Sequence, residues 1–347
     1  MIGRVVILGE VLGREAAALM LDGRLEDLIL DPGEATGPLP GAIYRGVADR
    51  PMKGQGGVFV RLGDGSKGFL REAGGIAPGQ RLIVQVSGQA EPHKAPPVTL
   101  RALFKGRFAI VTPLAPGLNI SRRIREEAIR EGLSALAAEG MAGSDFGLIV
   151  RSAAAEAPDD EIAAEIAELR ALAEAVMADL DGEPELLVDA AGPQETAWRD
   201  WSEPAPDEVV DRPGAFETEG VLDAIDALLA PEVALPGGGS LVIEPTRALI
   251  AVDVNTGADT SLAAGLKANI AAARELPRQL RLRGLGGQVV VDFAPMPKKD
   301  RAALDQQLRA AFRGEAAETS LAGWTPLGNY ELSRKRDRLP LADLLKE

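Results

Sequence analysis

The sequence predicts a multidomain chain of mixed α+β and α/β class. Three observations carry this. Residues 3–104 are a run of short apolar segments separated by Gly and Asp-Gly turns. From 107 onward, strand-like and helix-like segments alternate. Between 248 and 293 an apolar strand, a long helix and a second apolar strand follow one another, which is the pattern of a parallel βαβ unit. A length of 347 residues allows two or three domains.

In chain order, Val5–Leu8, Ala16–Leu21 and Leu25–Leu30 read as strands, with Asp22-Gly23 as a turn. Ile43–Val47, Gly57–Gly63, Lys67–Leu70 and Gln80–Val86 add more short strands. Together they suit a small barrel, either an OB-fold that binds oligonucleotides or another Greek-key barrel with a packing role. Phe108–Val111 and Gly147–Arg151 read as strands. Arg122–Ala138, opened by Ser121, and the Ala/Glu-rich 156–180 read as helices. Residues 181–220 lack periodicity and read as a linker or loosely packed loop. Leu222–Leu229 is a short helix. Leu241–Glu244 and Ala248–Asp253 form a hairpin. Residues 261–283 form a helix that Pro277 should kink, and Gly284–Gly287 end it. Gln288–Phe293 reads as a fully buried strand, Ala302–Phe312 as a helix, and Leu327–Leu332 as the last strand.

Composition removes whole classes of chemistry. The chain has no cysteine, which excludes disulfide scaffolds, Cys-ligated zinc, iron–sulfur clusters and thiol catalysis. Its single histidine, His93, excludes multi-His metal sites. Carboxylates, lysines, arginines and oxygen-bound metals remain. The net charge of -14 is uneven: residues 155–235 hold 23 acids and 3 bases, and the remainder has an excess of 6 bases. The acidic segment is expected to face solvent or a partner. No apolar run reaches the roughly 20 residues of a membrane span, and the N-terminus lacks a signal-peptide pattern, so a cytoplasmic location is the expectation.

The chemistry concentrates in 248–293. A right-handed crossover makes the two strands parallel, so Asp253 and Asp292 should lie side by side at the carboxyl edge of the sheet. Each follows an apolar run, and a strand buried on both faces would need to compensate the charge. A hard divalent cation such as Mg2+ would do so, since it takes one or two carboxylates plus waters and phosphate. Equally, both acids could cap the turns that follow them. Asn255 stands where it can orient a ligand or a carboxylate. On the crossover helix Arg274, Arg278 and Arg281 share one face, with Lys267 nearby. This is either a strip for a phosphodiester or a solvated helix face.

At this point the residues resemble a known family. Ala248-Leu-Ile-Ala-Val-Asp-Val-Asn-Thr-Gly257, Arg278-Gln-Leu-Arg-Leu-Arg283 with Leu285-Gly-Gly287, and Val289-Val-Val-Asp-Phe293 are similar to the signature of the ribonuclease E/G family. Gly323–Arg336 is similar to its closing strand and basic tail. The resemblance implies an RNase H-like subdomain (1–36 with 215–245), an inserted OB-fold RNA-binding domain (37–105) and a 5′-phosphate-sensor-like region (106–180). An acidic linker (181–214) and a DNase I-like α/β catalytic subdomain (246–347) would follow. It implies a Mg2+-dependent endoribonuclease acting on single-stranded RNA, with Asp253 and Asp292 holding the metal and Asn255 serving Asp253 or the scissile phosphate. It also implies RNA contacts at Phe59, Phe69, Lys94, Arg122 and Arg123, and at Arg151 and Ser152 for a 5′-phosphate. Lys267, Arg274, Arg278 and Arg281 would complete the set.

Several positions depart from the family pattern. Without cysteine no zinc is expected, and a homo-oligomer would have to form without it. Asp292-Phe-Ala-Pro-Met296 lacks a neighbouring acid, and Gly314-Glu-Ala-Ala-Glu-Thr319 stands where a basic patch is usual. The alternative is an RNA-binding relative with weak or no nuclease activity.

Overall fold

A computed structural model describes residues 3–33, 37–51, 56–63, 65–71, 74–90 and 94–346. His93 lies outside them. By compactness the chain divides into two units. One comprises Met1–Val6, Arg14–Ala17 and Asp31–Val210; the other comprises Ile7–Gly13, Ala18–Leu30 and Asp211–Glu347.

The chain opens with β1 (Arg4–Val11), β2 (Arg14–Leu21) and β3 (Arg24–Leu30), a meander. Both residues of the Asp22-Gly23 turn have positive φ, the geometry that suits a tight right-twisted hairpin. Next come β4 (Ile43–Ala48), β5 (Val58–Gly63), β6 (Ser66–Leu70), β7 (Arg81–Val86) and β8 (Pro97–Thr99). Pairing runs β4–β5–β6–β8–β7 and returns from β7 to β4, so the five strands close into an OB-like barrel. Val58, Val60, Leu62, Val84 and Val86 alternate inward and are almost fully buried, which is why the short strands hold together.

After the barrel come β9 (Phe104–Lys105), β10 (Ala109–Thr112), β11 (Leu118–Ile120), α1 (Glu127–Gly140), β12 (Gly147–Val150) and α2 (Asp159–Ala178). Helix α1 begins five residues later than expected, because the Ser121 hydroxyl accepts from the Arg123 amide and closes a local turn instead of capping a helix. The segment read as a linker is ordered. It contains β13 (Glu185–Val188), paired with β4, then α3 (Pro193–Asp200) and β14 (Glu208–Asp211). These elements are too short to show periodicity, so sequence pattern could not reveal them. Strands β14-β1-β2-β3 form one sheet.

Part of the acidic segment is structural. Glu165 on α2 accepts from the backbone amides of Arg107, Phe108 and Ala109 at 2.8, 2.7 and 2.9 Å, fixing the entry to β10. Arg45, buried in β4, donates to Asp179 at 2.5 Å, to the Glu183 carbonyl at 2.9 Å and to Glu185. A buried guanidinium requires such partners. Glu165 therefore acts within the fold, while Asp179 and Glu185 stay exposed to solvent and also tie the buried Arg45 in place.

Then follow α4 (Ala215–Thr218), α5 (Val221–Leu229), β15 (Glu232–Ala234), β16 (Ser240–Pro245), β17 (Ile250–Asn255), α6 (Leu262–Leu282) and β18 (Gly287–Asp292). Helix α7 (Arg301–Phe312), β19 (Thr319–Trp324), β20 (Tyr330–Arg334) and α8 (Leu341–Leu344) complete the chain. The sheet order is β15-β16-β17-β18-β20-β19; β17–β18 is its parallel pair, and the other neighbours are antiparallel. Ser261 caps α6 through the Ala264 amide, and the helix runs through Pro277, which sits on its buried face. Gly284, at φ +63°, ends it; a side chain there would strike the Leu339 carbonyl.

Strands β17 and β18 are not buried on both faces as expected. They alternate. Ile250, Val252, Val254, Val289 and Val291 enter a core with Ala272, Leu276 and Leu280 of α6 and Leu304 and Leu308 of α7. The other face is open, because both helices lie on the same side. The Val-Val-Val run looks fully buried in sequence because Val290 is apolar although only half covered.

Charged pairs in the same unit bind β3, α6 and the C-terminal segment. Asp27 accepts from the Arg338 guanidinium at 2.5 and 3.1 Å. Burial pushes the Asp27 carboxyl up. The Arg338 charge and hydrogen bond, with help from Arg281 and the Leu28 amide, outweigh that and hold it below the ordinary carboxylate range. A lowered folded-state pKa stabilises above the unfolded value of about 3.9 and is lost as pH falls through the folded value. The urea midpoint should therefore drop as pH falls below about 4. In Asp27→Asn the drop should be shallower. Equal slopes in both proteins would show that this pair does not supply acid sensitivity.

Candidate active site

Asp253 and Asp292 are register partners across the parallel β17–β18 pair. Adjacent strands stand about 4.8 Å apart, and registered residues of a parallel pair point to the same face. Both side chains are exposed on the open face of the sheet, near the carboxyl ends of their strands. Asn255, two residues on and on the same face, donates from Nδ2 to Asp253 Oδ2 at 2.9 Å. This bond fixes one carboxylate oxygen and leaves the other available. Two adjacent carboxylates with no cation between them repel one another. Among the described residues no group of three or more His, Cys, Asp or Glu assembles. The donor set is therefore two carboxylates and an amide, which fits a hard cation that keeps most of its water.

The strand exit after Asp292 is held from below. Asn269, fully buried on α6, donates to the Ala294 carbonyl at 2.8 Å and accepts from the Ala294 amide at 2.9 Å.

The basic residues of α6 are distributed differently from expectation. The helix packs on the core face of the sheet, so its charges do not stand on the carboxylates' face. Lys267 is exposed; Arg274 is exposed and donates to Gln307 Oε1 at 3.3 and 3.2 Å. Arg278 pairs with Glu275 at 2.8 Å and donates to the Leu25 carbonyl. Arg281 pairs with Glu26 at 2.5 Å and with Glu315. The last two are largely buried and act as structural ties. Glu315, part of the segment lacking the usual basic patch, also accepts from buried Arg334 at 2.8 Å.

In the barrel Phe59 and Phe69 are cross-strand partners, with ring centroids 5.3 Å apart, tilted and half-buried. Such paired aromatics form a platform on which bases can stack. Lys94 and Arg122 are exposed; Arg123 is exposed, with Glu203 at 4.0 Å. Arg151 is committed: it donates to the carbonyls of Gly106 at 2.6 Å and Arg199 at 3.2 Å, and to Asp200 Oδ1 at 2.8 Å. Ser152 opens a short 3-10 turn beside it. Burial raises the Asp200 carboxyl, but hydrogen bonds and charge from Arg199 and Arg151 lower it further, keeping it below the ordinary range. Sequence pattern gave no signal for Asp200, because it meets Arg151 from 49 residues away.

Residues 104–213 and 209–337 match the model of the Ribonuclease E/G family. Over 95% of its length the chain is 31% identical to the ribonuclease E of Synechocystis sp., of which it covers 56%. Over 93% it is 30% identical to the ribonuclease E of Nostoc sp., covering 54%. Over 98% it is 28% identical to the ribonuclease G of Escherichia coli, covering 81%. It thus spans about half the length of the two ribonuclease E relatives. With the family match covering most of the chain from 104 to 337 and the Asp253–Asp292 pair within it, the chain belongs to the ribonuclease E/G family.

Proposed function

We propose that this chain is an endoribonuclease that hydrolyses phosphodiester bonds of single-stranded RNA at the Asp253–Asp292 edge, with Mg2+ as its cofactor. The observation that carries the reading is the register pairing of two exposed carboxylates on one open sheet face, with an amide ordering one of them. Turn capping would leave the pairing and the shared face unexplained. The names of the relatives, ribonuclease E and ribonuclease G, support RNA as the substrate. When bound, Mg2+ would supply charge stabilisation at the phosphate and a more acidic water. Asp253 and Asp292 would hold it, and Asn255 would keep the Asp253 carboxylate in one orientation.

In the barrel, Phe59 and Phe69 offer stacking surface for bases, and Lys94 and Arg122 offer charge to the backbone. Lys267 and Arg274 would meet more distant phosphates. Arg278 and Arg281 would serve by holding α6 in place. A 5′-phosphate at Arg151 and Ser152 would have to displace the Asp200 carboxylate, so acceleration by a 5′-monophosphate should be weak. The test is cleavage of an end-labelled single-stranded RNA with Mg2+ and with EDTA. Cleavage that EDTA abolishes and added Mg2+ restores is expected. Tight RNA binding without cleavage in any divalent metal would replace the nuclease reading with that of a binding protein.

A further inference from the structure

A cavity of about 370 Å³ opens beyond the carboxyl end of β18. Phe293, Pro295 and Met296 line it from the segment leaving Asp292. Leu262 lines it from the first turn of α6, Arg301 from the start of α7 and Trp324 from the end of β19. Phe293 and Pro295 follow Asp292 by one and three residues in the chain, and the cavity is lined from the helix-bearing side of the sheet.

Its chemistry is unusual for a surface cleft. The Arg301 guanidinium lies 4.4 Å from the centroid of the Trp324 ring. Trp324 packs at 5.7 Å against Phe293 and edge-on at 5.3 Å against Tyr330, which fixes its plane. Tyr330 is itself anchored, donating to Asp305 at 2.6 Å. Among the described residues no hydrogen bond or ion pair engages Arg301. Its Nε and the Trp324 Nε1 are buried donors without acceptors. Buried donors are normally partnered, so two in one wall point to a missing acceptor. The lining side chains supply donors but no acceptor apart from the thioether of Met296, a weak one. The surroundings are apolar and open: Leu262 is 57% exposed and Leu327, beside the lining residue Gly328, is 92% exposed. Exposed Lys298 and Lys299 lead into α7, giving positive charge nearby.

A fixed aromatic plane, a guanidinium stacked on it with no hydrogen-bonding partner among the described residues, apolar walls and a surplus of donors match one ligand class, a nucleobase with carbonyl acceptors. We propose that this cavity binds a nucleobase of the RNA, and that it selects a keto base, guanine or uracil, through Arg301. The proposal rests on the nuclease reading for RNA as the source of that base, but not for the class of ligand.

The test titrates the full chain with GMP, UMP and AMP while tryptophan fluorescence is followed. Arg301→Gln and Trp324→Phe serve as variants, and RNA cleavage is assayed in parallel. GMP and UMP should quench the parent, with AMP at least about fivefold weaker. Trp324→Phe should lose the quench. Arg301→Gln, a change at a half-exposed helix start, should bind GMP about tenfold more weakly and lose the keto preference. It should also raise KM for RNA while leaving kcat on the best substrate nearly unchanged. Quenching that persists in Trp324→Phe, the absence of any nucleotide-dependent change in the parent, or unaltered GMP affinity in Arg301→Gln would each overturn the proposal. If the parent fails to cleave RNA yet shows keto-selective quenching, the cavity stands and the nuclease reading falls. If the parent cleaves and Arg301→Gln cleaves every substrate with the same KM and base preference, the reverse holds.

Discussion

Asp253→Asn and Asp292→Asn are each expected to lower RNA cleavage by about a thousand-fold, the consequence of losing about 4 kcal/mol of charge stabilisation at the phosphate. Neither should harm the fold. Both side chains are exposed, and neither belongs to the core of its unit. Removing one of two adjacent like charges should, if anything, stabilise the protein by about 0.2–1 kcal/mol. This opposite movement of activity and stability separates a reactive pair from turn caps, whose replacement by asparagine would leave both nearly unchanged. Asn255→Ala should cost less, about tenfold, since it removes one orienting hydrogen bond and no charge. The measurements are single-turnover cleavage of a labelled RNA and urea denaturation of the same preparations. Cleavage by Asp292→Asn at the parent's rate would end the proposed mechanism.

Glu315→Ala should produce the largest loss of stability, about 3 kcal/mol or somewhat more. Its carboxylate lies between Arg281 and Arg334 and is almost wholly buried, with 6% of the side chain exposed. The two arginines do not suffer equally. Arg281 keeps Glu26 and a longer contact to Asp27. Arg334, with 2% of its side chain exposed, keeps only the Thr319 hydroxyl at 3.5 Å among the described residues. The cost therefore arises mainly at Arg334, which places the expectation at the lower end of the 3–5 kcal/mol range for breaking a buried pair. Glu315→Gln should recover part of it, because the amide oxygen still accepts from one guanidinium. A shift of the urea midpoint without a change of slope is the expected signature. A loss under about 1 kcal/mol in Glu315→Ala would mean that the arginines find water or other partners.

The parallel crossover was legible because its logic is local: apolar strand, helix and apolar strand determine direction, and direction brings Asp253 beside Asp292. The burial of those strands was not legible, because it depends on α6 and α7 both covering one face. The same limit applies to Arg278 and Arg281. Helical spacing puts them on one face, but only the folded chain brings the Leu25 carbonyl to Arg278 from 253 residues away, and Glu26 and Glu315 to Arg281 from 255 and 34. Arg301 and Trp324 meet across a helix start and a strand end, and nothing in their spacing announces it. The short β13 and α3 fall below the length at which periodicity can be read.

Asn269 reaches the segment after Asp292 mainly through the amide and carbonyl of Ala294, with a longer contact from its Nδ2 to the Met296 sulfur at 3.8 Å. A tie to main-chain atoms is blind to the side chain that it holds. The main-chain tie therefore sets no requirement on the side chain at 294 beyond its buried space, whereas Phe293 is held by the core and by Trp324. The missing acid in that stretch thus need not displace Asp292. Retuning of the cavity for a different base would fall on its less buried members, such as Pro295 and Arg301, so that substrate preference can change there while the core packing of Phe293 and the carboxylate before it persist.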